Sequence, residues 1–80
     1  MSCYRIAQLK PGAVGRYRFV YGEAIDRRDL VIVHNTCYAS SASAKRYAEK
    51  HALVLKKYKD QPLLIVQDYG DLIVIRHVVQ

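Results

Sequence analysis

Apolar residues alternate with polar ones in the first part of the chain, follow a helical spacing over residues 41–58, and form continuous runs after residue 62. Side chains on one face of a strand recur every second position, and Cys3–Leu9 has a weak alternation of this kind. It is predicted as a short first strand, which the turn at residues 11–12 ends. Residues 16–21 alternate more clearly, with three aromatic side chains on one face, and predict a second strand. The β-branched run at residues 30–34 is predicted as its hairpin partner.

A helix is predicted over residues 41–58. Ser40, Ser41 and Ser43 offer side-chain oxygens that can accept hydrogen bonds from the free N–H groups of a first helical turn. Apolar and aromatic residues then recur at spacings of three, four and seven, which places them on one helical face. They are Ala44, Tyr47, Ala48, His51, Leu55 and Tyr58. Pro62 ends the segment, because the residue before a proline disfavours helical backbone angles.

Leu53 does not fit this helical face, and two interpretations stay open. The helix could end near residue 52, with residues 52–58 continuing as a strand. Alternatively, the helix is complete and Leu53 is an exposed apolar residue. We prefer the full helix, because a lysine-rich stretch continues it to residue 59.

Two further strands are predicted after the helix, at residues 63–67 and 72–79, joined by a turn in which Gly70 supplies positive φ. The continuous β-branched character of the last strand predicts a central, buried position in the sheet. The order (β)ββαββ predicts one α+β domain over residues 1–80. Its architecture would be an antiparallel four- to five-stranded sheet with a single helix packed on one face.

Composition excludes several classes of protein. The 80 residues are 51% hydrophobic, which is enough for one thin core and argues against disorder. No apolar run approaches the roughly 18 residues that span a bilayer, and residues 1–10 lack the pattern of a signal peptide. We therefore expect a cytoplasmic protein without a membrane partner. Cys3 and Cys37 are expected to be reduced there and to act as small apolar side chains.

Positive charge is concentrated in the predicted helix. The net charge is +6, and residues 41–59 contain six basic residues and one acid, Glu49, for a net +5. At about 3.6 residues per turn, Arg46, Lys50 and Lys57 form one outer stripe, with Lys45 and Lys56 beside it. Like charges at i,i+4 repel slightly, so this surface is either a solvated face or a binding surface for an acidic partner.

Further candidates for partner contact are not part of this basic stripe. Leu53, if exposed, would be an apolar residue surrounded by cations, which is typical of a protein interface. A second basic group lies in the predicted first hairpin and comprises Arg16, Arg18, Arg27 and Arg28. Tyrosines are common at interfaces and can stack on bases. Four are expected on core sides (Tyr17, Tyr21, Tyr47, Tyr58) and three at the surface (Tyr4, Tyr38, Tyr69).

The sequence contains no motif that points to catalysis. It has neither a glycine-rich phosphate loop nor a nucleophile-elbow motif. His34 and Cys37 form at most half of a metal site, because zinc takes about four ligands. The acidic residues fall mainly at predicted turns, where aspartate has structural roles. We therefore expect no enzymatic activity, no metal and no cofactor.

The segment YASSASAKRYAEKHA, between a predicted hairpin and the hairpin LLIVQDYGDLIVIRHV, resembles small phage-encoded anti-CRISPR proteins in layout. Several of these proteins, of similar length, place one helix against a small antiparallel sheet. The resemblance implies a stoichiometric inhibitor that occupies a surface of a CRISPR effector. In such a protein the basic helix face would bind an acidic protein patch.

Two other functions are compatible with the pattern. A small basic nucleic-acid-binding domain would place the helix on phosphates and the exposed tyrosines on bases, although the motifs of the common nucleic-acid-binding folds are absent. A homodimer could instead form through residues 72–75, if this segment is the outer edge of the sheet. The oligomeric state, monomer or homodimer, is left open by the sequence.

Overall fold

The computed structural model describes residues 2–80 and has an α+β fold. Its strands and α-helices are, in order, β1 (Cys3–Leu9), β2 (Leu30–Tyr38), α1 (Ser41–Lys50), α2 (Ala52–Leu55), β3 (Leu63–Asp68) and β4 (Ile73–Val79). The four strands form an antiparallel sheet in the order β2-β1-β3-β4, and α1 packs on it. The predicted fold class is therefore confirmed. None of the helices within residues 2–80 is long and apolar enough to cross a membrane.

Both faces of the sheet are covered. On the helix face, buried side chains of β1, β3 and β4 pack against two buried alanines of α1. The strand residues are Ile6, Leu63, Ile65 and Val79, and the helix residues are Ala44 and Ala48. On the opposite face, buried strand residues pack under the irregular segment 11–29. We call this the loop face, and its buried residues include Ala7, Leu9, Leu64, Val66, Ile73 and Ile75. Because consecutive strand residues point to opposite faces, burial on both sides explains the nearly unbroken apolar runs of β3 and β4.

The prediction of a strand at residues 16–21 is wrong. Phe19 has a φ of +61°, which an extended strand does not allow. The Glu23 carboxylate accepts hydrogen bonds from the backbone N–H groups of Arg18, Phe19 and Val20, over 2.8 to 3.3 Å. These donors are therefore satisfied by a side chain rather than by a neighbouring strand. The alternation of aromatic residues instead reflects the packing of a loop, because Tyr17 and Phe19 both pack against the loop-face core.

Strand β2 consequently pairs with β1 and not with residues 16–21. The register is regular at the start, with Leu9 opposite Leu30 and Ala7 opposite Ile32. Two irregularities follow, and the pairing resumes with Tyr4 opposite Tyr38. The strand thus extends four residues beyond the predicted end at residue 34.

Strand β4 is buried as predicted at residues 73–75, but it lies at the edge of the sheet and not at its centre. Its outer edge is bonded by the loop-face segment. Gly22 N–H donates to the Ile75 carbonyl at 2.7 Å, Ile25 N–H to the Ile73 carbonyl at 2.9 Å, and Ile75 N–H to the Glu23 carbonyl at 2.9 Å. Three of the outward-facing backbone groups that a dimer through residues 72–75 would use, Ile73 C=O and both groups of Ile75, are therefore already bonded within the chain.

The helix ends earlier than predicted. His51, with φ −117° and ψ 23°, interrupts it between α1 and α2, and α2 ends at Leu55. The buried side chain of Gln8 accounts for this end. Its Oε1 accepts from the N–H groups of Lys57 (2.8 Å) and Tyr58 (3.0 Å), and its Nε2 donates to the carbonyls of Tyr58 and Gln61. Residues 56–58 are therefore neither helix nor strand, and both interpretations of this segment were partly wrong.

The expectation of two reduced cysteines is also wrong, because Cys3 and Cys37 form a disulfide. Their Cα atoms lie 4.9 Å apart at the end of the β1–β2 pair. Disulfides persist in oxidising compartments and in the cells of hyperthermophiles.

Candidate binding surface

The outer side of α1 carries the basic residues that the sequence singled out. Ser40 begins the helix, and its side-chain oxygen accepts from the N–H of Ser43 at 3.2 Å. Ala44 and Ala48 are fully buried against the sheet. Arg46 and Lys50 are exposed, while Lys45 is half-buried. The predicted stripe does not include Lys57, because the chain leaves the helix before this residue.

The cations of the helix and its connector to β3 have no acidic partner among residues 2–80. The four ion pairs within this range join Arg5 and Arg27 to Asp68, Arg16 to Asp29, and Arg28 to Asp26. None of them involves Lys45, Arg46, Lys50, Lys56, Lys57 or Lys59. The positive charge of this side is therefore not compensated within the fold.

An exposed apolar pair lies beside these cations. Leu53 and Val54 of α2 are 82% and 87% exposed, which confirms the interpretation of Leu53 as an exposed apolar residue. The Lys59 ammonium donates to the Leu53 carbonyl at 2.9 Å. We call Leu53 and Val54 the apolar tip. In the chain the tip lies between Lys50 and the lysines of residues 56–59, and Glu49 is the acid beside it, so most of the charge near this apolar contact is positive.

The arginines of the predicted first hairpin do not join this surface. Arg16, Arg18, Arg27 and Arg28 belong to the segment that covers the loop face, opposite α1. Arg27 donates to Asp68 (2.9 Å) and to the Gly70 carbonyl (2.8 Å). The exposed Asp26–Arg28 pair holds the pKa of the Asp26 carboxyl at about 2, mainly through the hydrogen bond from the Arg28 side chain. The structure thus divides the candidate residues between two faces.

A shallow cavity of about 410 Å³ lies where α1 meets the end of β2. Its lining residues are Tyr38, Ser43, Arg46, Tyr47, Lys50 and His51. We call it the basic–aromatic pocket. The Tyr47 ring stacks on His34, with centroids 4.3 Å apart and planes at 10°, and its centroid is 4.2 Å from that of His51.

Hydrogen bonding and burial define the polar groups of this pocket. The Tyr38 hydroxyl lies 3.0 Å from Nε2 of His34. Burial, followed by the proximity of Tyr47, raises the pKa of Tyr38 above its ordinary value. Its hydroxyl therefore keeps its proton at neutral pH. No carboxylate lines the pocket, so its charged groups are all positive.

Sequence reasoning found only part of this site. Arg46 and Lys50 were predicted to bind a partner, but Tyr38 enters the pocket through the extension of β2 beyond residue 34, which was not predicted. The i,i+4 spacing of Tyr47 and His51 was an available signal for ring contact. Tyr21 was expected in the core, yet it is 76% exposed, with the Arg76 guanidinium carbon 5.0 Å from its ring centroid.

The residues considered for metal binding or catalysis are engaged elsewhere. The sulfur of Cys37 is bonded to Cys3, and His34 contacts Tyr38 and Tyr47. Within residues 2–80, no three His, Cys, Asp or Glu side chains form a group that could hold a metal ion.

No protein-family model matches this chain, and no curated protein or solved structure is significantly similar to it.

Proposed function

We propose that this chain is a non-enzymatic binding protein that docks on an acidic protein surface through α1 and α2. The observation that carries the proposal is the apolar tip, which is more than four-fifths exposed and lies next to unpaired cations. Exposure of two adjacent apolar side chains costs solubility and contributes nothing to the core. Both costs are offset when a partner buries the pair.

The surrounding charge specifies the chemistry of the partner. Interfaces combine an apolar centre with a polar rim, and complementary charge accelerates and orients docking. Here the centre is Leu53 and Val54, and the rim includes Lys50, Lys56 and Lys57. A protein surface with an apolar depression inside an acidic margin fits both features.

The resemblance to anti-CRISPR proteins supplies a particular version of this proposal. In it, the partner is a CRISPR effector subunit, and the chain is a phage- or mobile-element-encoded inhibitor that blocks it with fixed stoichiometry. The apolar tip and the uncompensated charge support binding to a protein. They do not favour one acidic protein over another, so the identity of the partner rests on the resemblance alone.

The experiment is capture of partners from a bacterial host, followed by reconstitution with purified effector complexes and a target-cleavage assay. L53D/V54D should abolish capture, because it places two carboxylates at the centre of the interface. Charge reversal with R46E/K50E should weaken it at least tenfold. The matched control is K10E/R18E, which makes the same charge change elsewhere and should bind as the unmodified protein does.

Retention of binding by L53D/V54D would overturn the proposal. Binding to effectors without loss of cleavage would overturn the inhibitor version only. Circular dichroism and the urea midpoint of each variant establish that the fold is retained.

Binding of nucleic acid is the second candidate, because the basic–aromatic pocket combines cations with rings. In that case binding should fall steeply with salt, as phosphate contacts release counterions. L53D/V54D would reduce it only modestly through its charge, and R46E/K50E would abolish it. Absence of any shift with DNA or RNA at low salt would exclude this candidate.

A further inference from the structure

We infer that the basic–aromatic pocket binds a nucleoside phosphate, either a free nucleotide or the phosphorylated end of a strand. This site shares Lys50 with the rim of the apolar tip but does not include Leu53 or Val54, and it goes beyond docking on a protein. The inference rests on the charge of the pocket, on its rings and on the way the rings are held.

The charged groups of the pocket fit a phosphate. Arg46 and Lys50 lie one helical turn apart and both line the cavity. Neither has an ion-pair partner within residues 2–80. A guanidinium can donate two parallel hydrogen bonds to a phosphate, and an ammonium adds a mobile point charge. The hydroxyl of Ser43, in the first turn of α1, supplies another donor.

The rings of the pocket fit a planar heterocycle. Tyr38, Tyr47 and His51 all line this shallow, solvent-open cavity. Aromatic side chains bind bases of any sequence, because every base has a π-face. Since Tyr47 already stacks on His34 and contacts His51, the rings that would contact a base are those of His51 and Tyr38. A lone inorganic anion would use the cations and leave the rings in contact with water. A nucleotide uses both.

The pocket is held in place before any ligand binds. Tyr47 is packed between neighbours, stacking on His34 and contacting His51. Tyr38 is hydrogen-bonded to His34 and follows Cys37, which the disulfide ties to β1. Fixed side chains lose little conformational freedom on binding, so more of the contact energy contributes to affinity.

The first experiment is a titration of the full chain, followed by NMR, with adenosine 5′-monophosphate, inorganic phosphate and adenosine as separate probes. The nucleotide should bind at least tenfold more tightly than either fragment and should shift the resonances of Tyr47 and His51. Equal affinity for nucleotide and phosphate would overturn the inference. Shifts that map only to other residues would also overturn it.

The second experiment separates the two halves of the ligand. R46Q/K50Q should weaken binding of the nucleotide at least tenfold, while the matched control K57Q/K59Q should change it less than twofold. H51A removes one ring at the helix break and should weaken the nucleotide about fivefold with phosphate unchanged. Equal loss in R46Q/K50Q and its control would mean that binding reflects net charge alone.

The third experiment identifies the source of the nucleotide. A hexadeoxynucleotide with a 5′-phosphate that binds at least tenfold more tightly than both the monophosphate and the 5′-hydroxyl hexamer indicates a strand end. Comparable affinity for the monophosphate and the phosphorylated hexamer indicates a free nucleotide. L53D/V54D should weaken binding of the monophosphate only modestly, through its charge, so failure of protein docking and failure of this site are distinguishable.

Discussion

The two faces of the sheet are covered in different ways and carry their charge differently. The helix face is covered by a regular element whose cations are unpaired. The loop face is covered by an irregular segment in which Arg16, Arg27 and Arg28 are each paired with an aspartate. Both coverings bury a core of similar character.

This difference separates residues that hold the fold from residues available to a partner. On the loop face, side-chain hydrogen bonds replace the missing secondary structure, so its polar residues are required for stability. On the helix face, backbone hydrogen bonds within α1 make the cations dispensable for folding. Substitutions of similar type on the two faces should therefore have different consequences.

The largest effect is expected at Gln8, which anchors the connector behind the helix. Gln8→Leu leaves two backbone N–H groups and the Gln61 carbonyl without a partner, while the Tyr58 carbonyl keeps the Gln61 N–H, and we expect a loss of about 4 kcal/mol in the free energy of unfolding. Urea denaturation measures it. The control is Gln67→Leu, which removes two side-chain hydrogen bonds in a half-buried position and should cost about 1 kcal/mol. Equal losses would show that the connector is not held by Gln8.

Loss of the disulfide should have the next largest effect. A cross-link that closes a loop of about 35 residues contributes about 3–4 kcal/mol by restricting the unfolded chain. Reduction, or the double substitution C3S/C37S, should lower the urea midpoint accordingly. The control is the double variant with reductant, which should show no further change. A midpoint insensitive to reductant in the unmodified protein would contradict the assignment.

Glu23→Ala tests the loop face directly. The carboxylate satisfies three consecutive N–H groups, and its removal should cost about 2 kcal/mol. Hydrogen exchange should accelerate at Gly22, Ile25 and Ile75, whose backbone bonds depend on this loop. Glu49→Ala is the matched control on α1 and should change stability by less than about 0.5 kcal/mol. Similar costs for the two variants would contradict the distinction between the faces.

Acid should weaken the loop face through Asp68. Burial raises the pKa of this carboxyl, but hydrogen bonds from Arg27 and the Gly70 N–H, together with Arg5, outweigh burial and place the pKa below its ordinary value. A depressed pKa in the folded state adds stability above about pH 4, which is lost as the pH falls through the folded pKa. Asp68→Asn should therefore flatten the decline in stability below pH 4, whereas Asp71→Asn should leave it unchanged. An identical decline in Asp68→Asn would contradict this role.

The sequence was sufficient to predict the elements that are stabilised by local contacts or are buried on both faces. The cap at Ser40 and the apolar runs of β3 and β4 indicated their elements within one or two residues. The prediction of a strand at residues 16–21 was wrong because their alternation reflects packing of a loop. The contact that determines this loop, from the Glu23 carboxylate to three N–H groups, produces no periodic pattern in the sequence. The helix end depended on Gln8, about fifty positions away in the chain.

The candidate site could likewise be predicted only in part from the sequence. Leu53 was recognisable as exposed, because it violates the helical pattern. The unpaired state of Arg46 and Lys50 followed from the scarcity of acids near them in sequence. The pocket was not predictable, since it requires His34 and Tyr38 to lie beside α1. That placement depends on pairing β2 with β1, and the sequence indicated another partner.

The smallest effect is the most informative about the purpose of the helix cations. Arg46→Glu places an acid four residues before Lys50, in the orientation that stabilises a helix, so we expect a gain of about 0.3–0.5 kcal/mol in the free energy of unfolding. Arg27→Glu on the loop face should instead cost about 1 kcal/mol, because it replaces the partner of Asp68 by a like charge. Thermal denaturation at low salt measures both changes, and salt should diminish them.

The order of these two variants should be reversed when binding is measured instead of stability. Arg46→Glu is expected to weaken capture of a partner or a nucleotide despite its greater stability, while Arg27→Glu should retain binding despite its lower stability. If Arg46 lowers the stability of the fold and is required for binding, its positive charge is explained by the ligand and not by folding. If Arg46→Glu destabilises the protein and leaves all binding intact, the cations of α1 serve the fold, and the two faces do not differ in the way proposed.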